Sequence, residues 1–241
     1  MPTGRQLFRI SAKNLGALAL PDFCPRCFWL QAKMGFKLPF QIFPGMFSSI
    51  DAYSKTITHL HRHHSDHLPT WMEQSGIMGE PVEGLHHSRF QWIETDDILL
   101  TGVPDEIIRD GVELSIIDYK TARHTEGQDA LLPIYRVQLN CYARIAERLG
   151  MGTVRRLALL YYEPKTDISI GDLAGLTDDN GFAMRFNPKV VPIALEPEII
   201  PPLLEQARRL FDSPSPPQGR EGCSNCRMVE RMSDLVQFAA A

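Results

Sequence analysis

The chain has 241 residues, of which 44% are hydrophobic and 22% are charged, and its formal net charge is −4. This length is enough for one α/β domain with a buried core, and a charge so close to balance neither requires nor excludes a nucleic-acid partner. The sequence has no apolar stretch of membrane-spanning length, and its short apolar run at 15–20 does not fit a secretory signal. We therefore expect a cytoplasmic protein whose five cysteines stay reduced.

The first third of the chain predicts mostly helical structure. Residues 11–20 predict a short helix or turn, and 24–35 predict a buried helical turn after the first cysteine pair. Residues 45–64 predict a longer helix, because apolar residues recur there at spacings of three and four. The stretch at 65–90 is rich in Gly, Pro and His and predicts a loop over the core. The apolar stripe of the longer helix consists of Phe47, Ile50, Tyr53 and Ile57.

Strand patterns follow in the middle of the chain. Residues 90–95 and 98–108 predict strands, and a further strand at 112–122 follows the dipeptide Asp110-Gly111. An Asp-Gly pair between apolar runs predicts a two-residue hairpin turn of type I′.

The second half of the chain predicts a helix at 129–149, which Gly150 ends in a left-handed conformation. Residues 153–163 predict a strand that is buried on both faces. Further β structure is expected at 178–186 and 190–195. A helix with proline in its first turn is expected at 201–211, and 212–222 has the composition of a linker.

The predicted hairpin brings three polar side chains together. With the turn at the Asp-Gly pair, Asp105 lies opposite Ile116 and becomes a diagonal neighbour of Asp118, roughly 7–8 Å away on the same face. Lys120 follows on that face. Because apolar residues surround the two acids, we expect burial, and a metal ion is the usual remedy for two buried carboxylates. The alternative is a cluster of charges on the solvated surface.

The helix after the hairpin carries a second polar pair. Gln138 and Tyr142 are four residues apart and therefore lie on one helical face. If that face packs on the hairpin, an amide and a phenol point towards the same site. If it does not, both are ordinary surface residues.

These residues together resemble the PD-(D/E)XK nuclease superfamily, and within it the RecB-like branch that includes the CRISPR-associated RecB-type nucleases. The likeness consists of Gly-Val-Pro-Asp ending at Asp105, of Asp118-Tyr119-Lys120 thirteen positions later, and of Gln138 followed by Tyr142. It implies an α/β fold with a restriction-endonuclease-like core, in which helices flank a mixed central β-sheet and a four-cysteine metal site joins the termini.

The resemblance also implies a division of the chain. We expect a single nuclease domain over 1–241. Its catalytic core would span about 46–211, and 1–45 together with 212–241 would form the cysteine-clamped appendage.

The same resemblance implies roles for the polar residues. Asp105, Asp118 and the carbonyl of Tyr119 would hold Mg²⁺ or Mn²⁺, which prefer oxygen ligands. Lys120 would orient the nucleophile and stabilise the transition state, and Gln138 and Tyr142 would position DNA or the surroundings of Lys120. Members of the branch often have a further metal-ligating histidine on the first helix. This chain has no clear counterpart, and Asp51 is the residue that could replace it as an oxygen ligand, although it could equally pair on the helix surface.

The cysteines form two C-x-x-C pairs, Cys24 with Cys27 and Cys223 with Cys226. Two such pairs in a reducing compartment predict one site of four thiolates, whose spacing suits zinc and an iron–sulfur cluster alike. The resemblance favours a [4Fe–4S] cluster. The related nucleases usually place one cysteine near the N-terminus and three near the C-terminus, so the two-and-two arrangement keeps zinc as the alternative. Cys141 is expected in the core.

Two further groups of residues attract attention in the sequence. A run of histidines near the end of the first long helix is expected to form a solvated face rather than a metal site. Several arginines could guide a phosphate backbone. The histidines are His59, His61, His63, His64 and His67, and the arginines are Arg123, Arg136, Arg144, Arg155 and Arg156.

We therefore predict a metal-dependent nuclease that hydrolyses phosphodiester bonds in single-stranded DNA or at duplex ends. The resemblance places it in DNA repair, recombination or CRISPR and defence processing, with protein partners in such a complex. One alternative is a non-catalytic nucleic-acid-binding or assembly module that retains the nuclease fold. Another is a protein-interaction scaffold whose thiolate clamp is purely structural.

Overall fold

A computed structural model describes residues 6–37, 45–65, 67–83, 89–95, 97–125 and 130–240. The helices are α1 (Ala12–Gly16), α2 (Pro25–Lys33), α3 (Gly45–Ser65), α4 (Thr70–Glu73), α5 (Leu132–Arg148), α6 (Ile200–Asp212) and α7 (Ser224–Ala240). The strands are β1 (Phe8–Ser11), β2 (Glu80–Pro81), β3 (Gln91–Thr95), β4 (Ile98–Thr101), β5 (Glu106–Asp110), β6 (Glu113–Lys120), β7 (Thr153–Pro164), β8 (Thr177–Asp178), β9 (Gly181–Phe182) and β10 (Phe186–Ile193). The predicted α/β class is confirmed.

The main sheet has five strands in the order β10-β7-β6-β5-β2. Only β6 and β7 run parallel, because α5 provides the crossover between them, and the other neighbours are antiparallel. The sheet is therefore mixed, as predicted. The sheet's central strand, β6, carries Asp118 and Lys120.

Both faces of this sheet are covered by apolar packing. On the α5 face, Ile116 belongs to the larger core together with Leu139 of the helix. On the opposite face, Ile117 packs in a second cluster with Met72 of α4. Alternate residues of β6 thus enter different cores, which holds the strand in a single register.

The predicted strand at 98–108 is wrong as one element. It divides into β4, which pairs with β1 and β3 in a separate three-stranded sheet, and β5, which joins the main sheet. Pro104 lies in the connection and has no N–H to donate to a strand ladder. The chain therefore changes sheet just before Asp105.

The hairpin turn lies one residue later than predicted. Asp110 pairs with Glu113, so the turn is Gly111-Val112. Gly111 has a φ of 58°, and among the described residues Phe36 alone has a positive φ without being glycine, so Val112 does not. Glycine at the first central position with this geometry suits a type II′ turn rather than type I′. If this register is continued one pair beyond Glu106 and Ile117, Asp105 lies directly opposite Asp118 and not diagonal to it.

Helix α3 is confirmed, but its apolar stripe does not face the core. Phe47, Tyr53 and Ile57 are exposed, whereas Ser54 and Thr58 are buried. The hydroxyl groups of the two buried residues bond to helical carbonyls four residues earlier, and Thr58 also lies 2.5 Å from the Tyr162 hydroxyl. Burial of these small polar residues is possible because their hydrogen bonds are satisfied.

The other predicted elements agree with the structure, apart from details. The predicted helix start at 129 lies outside the described residues, and Gly150 has a φ of 70° after the end of α5, as expected of a helix cap. The stretch at 65–90 contains α4 and β2, although 66 and 84–88 lie outside the described residues. Residues 213–223 form no helix or strand, which fits the predicted linker.

Candidate active site and cysteine cluster

Two carboxylates lie where β5 and β6 end. Asp118 is buried in β6, and Asp105 stands in the bend before β5. The Tyr119 N–H donates to Asp105 Oδ2 over 2.6 Å. The Asp105 carboxylate therefore accepts the hydrogen bond that a carbonyl of the neighbouring strand would otherwise accept from Tyr119.

A lysine contacts each of these carboxylates. Lys55 of α3 places its Nζ 2.7 Å from Asp105 Oδ1 and 2.8 Å from Asp51 Oδ2. Lys120 Nζ contacts Asp118 Oδ2 and lies 4.2 Å from the ring centroid of Tyr135. Asp105 and Asp118 are therefore each paired with an ammonium group.

The Gln138 and Tyr142 pair reaches this site. Gln138 Nε2 donates to Asp118 Oδ1 over 3.0 Å and to the Tyr142 hydroxyl over 2.7 Å. Among the described residues, no group donates a hydrogen bond to the buried Gln138 Oε1. A buried polar atom of this kind usually marks the place of a water molecule or an ion.

The ionisation of the acids follows from burial and neighbouring charge. Burial raises the pKa of Asp118, the ammonium of Lys120 opposes that rise, and the charge of Asp105 adds to it. Burial also raises the pKa of Glu106, whose carboxylate accepts a hydrogen bond from the Tyr119 hydroxyl. Asp118 and Glu106 are thus both weakly solvated, and the charge of Asp105 raises the pKa of each.

A groove of about 460 Å³ opens beside Asp105. Its lining includes Lys55 and His59 from α3 and Glu106 from β5. Asp105 is therefore reachable from solvent along one side of α3, whereas the buried Asp118 does not line this groove.

Three residues of the site escaped the sequence analysis: Lys55, Glu106 and Tyr135. The i,i+4 spacing from Asp51 could have indicated Lys55. The roles of Tyr135 and Gly102 depend on tertiary contacts. A Cβ built on Gly102 would stand 2.6 Å from Tyr142 Cδ1, so only glycine allows this approach.

The arginines suggested for DNA guidance are largely occupied within the protein. Arg144 forms two hydrogen bonds with Glu94, at 2.7 and 2.6 Å. Arg136 pairs with Glu196, Arg155 with Glu113, and Arg123 bonds to Thr166. Of the histidines, His59 and His63 contact each other, and all but the half-buried His61 are exposed, as expected of a solvated face.

The four paired cysteines meet in a second site. Cys24 and Cys27 at the start of α2 meet Cys223 and Cys226 at the start of α7. Among the described residues, this is the only group of three or more His, Cys, Asp or Glu side chains placed to hold a metal ion. Cys141 lies apart, fully buried in α5, as predicted.

The thiols of this cluster differ in acidity. Burial raises the pKa of Cys24, but hydrogen bonds from the backbone N–H groups of Cys27 and Arg220 outweigh burial and hold this pKa at about 6. Burial and the neighbouring sulfur of Cys24 raise the pKa of Cys226 to about 11. Metal coordination requires thiolates, and the backbone N–H groups favour that form.

Comparison with known proteins decides the family. Residues 47–231 match the sequence model of the PD-(D/E)XK nuclease superfamily. The chain belongs to the PD-(D/E)XK nuclease superfamily. The predicted resemblance is confirmed, and the nucleases of this superfamily use divalent metals and act on nucleic acids. A nuclease-type function is therefore supported.

Individual proteins are also similar to this chain. One subunit of the ATP-dependent helicase/nuclease of Bacillus pumilus (strain SAFR-032) is 32% identical over 85 residues, which is 32% of this chain and 7% of that protein. This similarity supports the RecB-like branch. A solved structure described as "Crystal structure of SSO0001" matches 88% of this chain and 81% of its own, at 17% identity and a TM-score of 0.38. Within the described residues, no helix is both long and apolar enough to cross a bilayer.

Proposed function

We propose that this PD-(D/E)XK protein is a metal-dependent deoxyribonuclease that hydrolyses phosphodiester bonds. The observation that carries the proposal is the buried Asp118 with Lys120 and Gln138 directly on its carboxylate, beside Asp105. Single-stranded DNA or duplex ends are the proposed substrate, in repair, recombination or CRISPR and defence processing with protein partners.

The donor set suits a hard divalent cation. Asp105 and Asp118 offer carboxylate oxygens, each of which already attracts an ammonium group. The N–H and carbonyl of one strand residue point to the same neighbouring strand. Because the Tyr119 N–H points to Asp105, the Tyr119 carbonyl lies at that same edge and can serve as a third ligand. Mg²⁺ and Mn²⁺ favour such oxygen sets.

Each proposed catalytic residue then has a physical task. A bound divalent ion would lower the pKa of a water molecule and neutralise charge on the scissile phosphate. Lys120, held between Asp118 and the ring of Tyr135, directs N–H groups at the nucleophile or a phosphate oxygen. Gln138 fixes the Asp118 carboxylate, and Tyr142 fixes Gln138. Asp51 acts on the site through Lys55, which it shares with Asp105.

A cleavage assay tests the proposal. Wild-type protein with Mg²⁺ or Mn²⁺ should cut labelled single-stranded and duplex DNA, and Asp118→Asn or Lys120→Met should lower the rate by about 100-fold or more. Asp110→Asn, at the exposed hairpin end, is the matched control and should keep full activity. Undiminished cleavage by both site variants would reject the assignment.

Lys55 favours a second candidate, a non-catalytic nucleic-acid-binding module. Its ammonium contacts an oxygen of both Asp51 and Asp105, so these acids already have a cationic partner without a metal. Such a module should bind DNA equally well with and without Mg²⁺ and never cut it. Metal-dependent cutting decides for the nuclease.

We also propose a single domain over 1–241, with a core at about 46–211 and an appendage formed by 1–45 and 212–241. The cysteine cluster supports the appendage, because it joins the two ends of the chain. Strand β1 and helix α1 of the appendage also pack against the main core.

A further inference from the structure

The two cysteine pairs form the same local structure twice. Cys24 precedes the first residue of α2, and Cys223 precedes the first residue of α7. The carbonyl of each accepts a hydrogen bond from the N–H four residues on, Phe28 in one case and Arg227 in the other. In each pair the second cysteine lies in the first helical turn. Each helix start therefore presents two thiols, as in the cysteine knuckles of structural metal sites.

The distances between the sulfurs discriminate between metals. Sγ–Sγ separations are 3.5 Å for Cys24 and Cys226, 3.6 Å for Cys27 and Cys223, and 3.6 Å for Cys27 and Cys226. All four sulfurs lie within 4.8 Å of one another. A tetrahedral zinc ion with bonds of about 2.3 Å places its sulfurs about 3.8 Å apart. A [4Fe–4S] cluster puts an iron atom in front of each sulfur and holds the sulfurs more than about 6 Å apart.

Neighbouring groups contact two of the four sulfurs, and a cavity of about 170 Å³ is lined by Cys24, Cys27 and Cys223. A Cβ on Gly219 would stand 2.9 Å from Cys226 Sγ, so the backbone already packs against that sulfur. The Arg220 N–H donates to Cys24 Sγ over 3.2 Å. Arg26 holds the same region through bonds to the Pro217 carbonyl and to Glu230 of α7. These contacts favour the observed close arrangement of the sulfurs.

We infer that the four cysteines bind one zinc ion as a structural tetrathiolate site, and that they do not fit the [4Fe–4S] cluster that the family resemblance implies. The inference is independent of the proposed nuclease activity. The ion would join Cys24 to Cys226, which are 202 positions apart in the chain. Closing so long a loop with a metal restrains the unfolded chain and holds α2 to α7.

Metal analysis of the wild-type protein tests the inference. The protein is produced with both iron and zinc supplied and is purified without oxygen. We expect one zinc per chain, no visible absorption band, and an X-ray absorption spectrum with four sulfur neighbours at about 2.3 Å. About four irons per chain with the broad visible absorption of a cluster would overturn the inference, and so would a chain with neither metal.

Variants locate the metal. Cys27→Ser and Cys223→Ser should lose most of the bound zinc, whereas Cys141→Ala, which changes the cysteine outside the cluster, should keep it. Gly219→Ala should lower zinc occupancy because its Cβ crowds the Cys226 sulfur. If a cysteine variant does not fold, titration of wild-type protein with a thiol-blocking mercurial replaces it, and one zinc should be released per chain. Zinc retained by both serine variants, or released without thiol blocking, contradicts the assignment.

Discussion

Replacing Gly102 by alanine should displace the Tyr142 ring and disturb the active site. The new Cβ would stand 2.6 Å from Tyr142 Cδ1 and closer still to Cε1. Carbon atoms in contact are normally about 3.5–4.0 Å apart, so the ring must move by about 1 Å. The ring is buried and stands edge-on to Phe90, so its movement must displace neighbouring side chains.

Overpacking of this kind costs about 1–3 kcal/mol, which for a chain of this size lowers Tm by roughly 2–12 °C. The shift of the ring would also draw the Tyr142 hydroxyl away from Gln138, so cleavage should slow. Denaturant unfolding and the DNA cleavage assay measure the two effects.

Two controls separate the causes. Gly175→Ala adds the same atom where nothing lies within 4 Å, so it should leave both stability and cleavage unchanged. Tyr142→Phe keeps the ring and removes only the hydroxyl, so it should slow cleavage with a smaller loss of stability. A Gly102→Ala protein as stable and as active as wild type would refute the reasoning.

Three further predictions follow from other contacts. Lys55→Met should tighten Mn²⁺ binding in calorimetry, because the ammonium no longer competes for Asp105; unchanged or weaker binding would count against this. Asn140→Ala should lower the free energy of unfolding by about 2–4 kcal/mol, since the buried amide bonds to the Ala194 carbonyl and to the Glu196 N–H; a loss under about 0.5 kcal/mol would contradict it. Hydrogen bonds from the side chain and backbone of Ser169 lower the pKa of Asp172. The ionised Asp172 carboxylate therefore stabilises the fold above the ordinary aspartate pKa of about 3.9, and this stabilisation is lost as the pH falls. The destabilisation by Asp172→Asn should accordingly be greatest at neutral pH and shrink in acid, and a pH-independent difference would rule this out.

The hairpin shows how a partly wrong prediction still located the site. The predicted turn lies one residue before the observed turn. The observed pairing therefore puts Asp118, and not Ile116, opposite Asp105. A shift of two in the pairing keeps every side chain on its face, because strand residues alternate with a period of two. The observed register therefore keeps Asp105 on the face predicted for it, although the pattern does not indicate the strand break before Asp105.

Helix α3 shows what local pattern cannot provide. Its apolar spacing correctly predicted a helix, but the pattern alone could not indicate which face packs on the sheet. Ser54 and Thr58 lie inward, where Thr58 meets the Tyr162 hydroxyl and Ser54 bonds to a carbonyl of its own helix, and in this orientation Lys55 reaches Asp105. Such contacts depend on residues far apart in the chain.

The sequence by itself determined the order of the helices and most strands, the acid–acid–lysine motif and the two cysteine pairs, because each is written in residue types at short spacing. Only the tertiary structure decided that Gln138 meets Asp118, that Lys55 bridges two acids, and that four sulfurs approach to within 4.8 Å. These distances depend on how distant elements pack. Short-range spacing constrains neighbours on one element, whereas the approach of separate elements depends on the volume and polarity of everything packed between them.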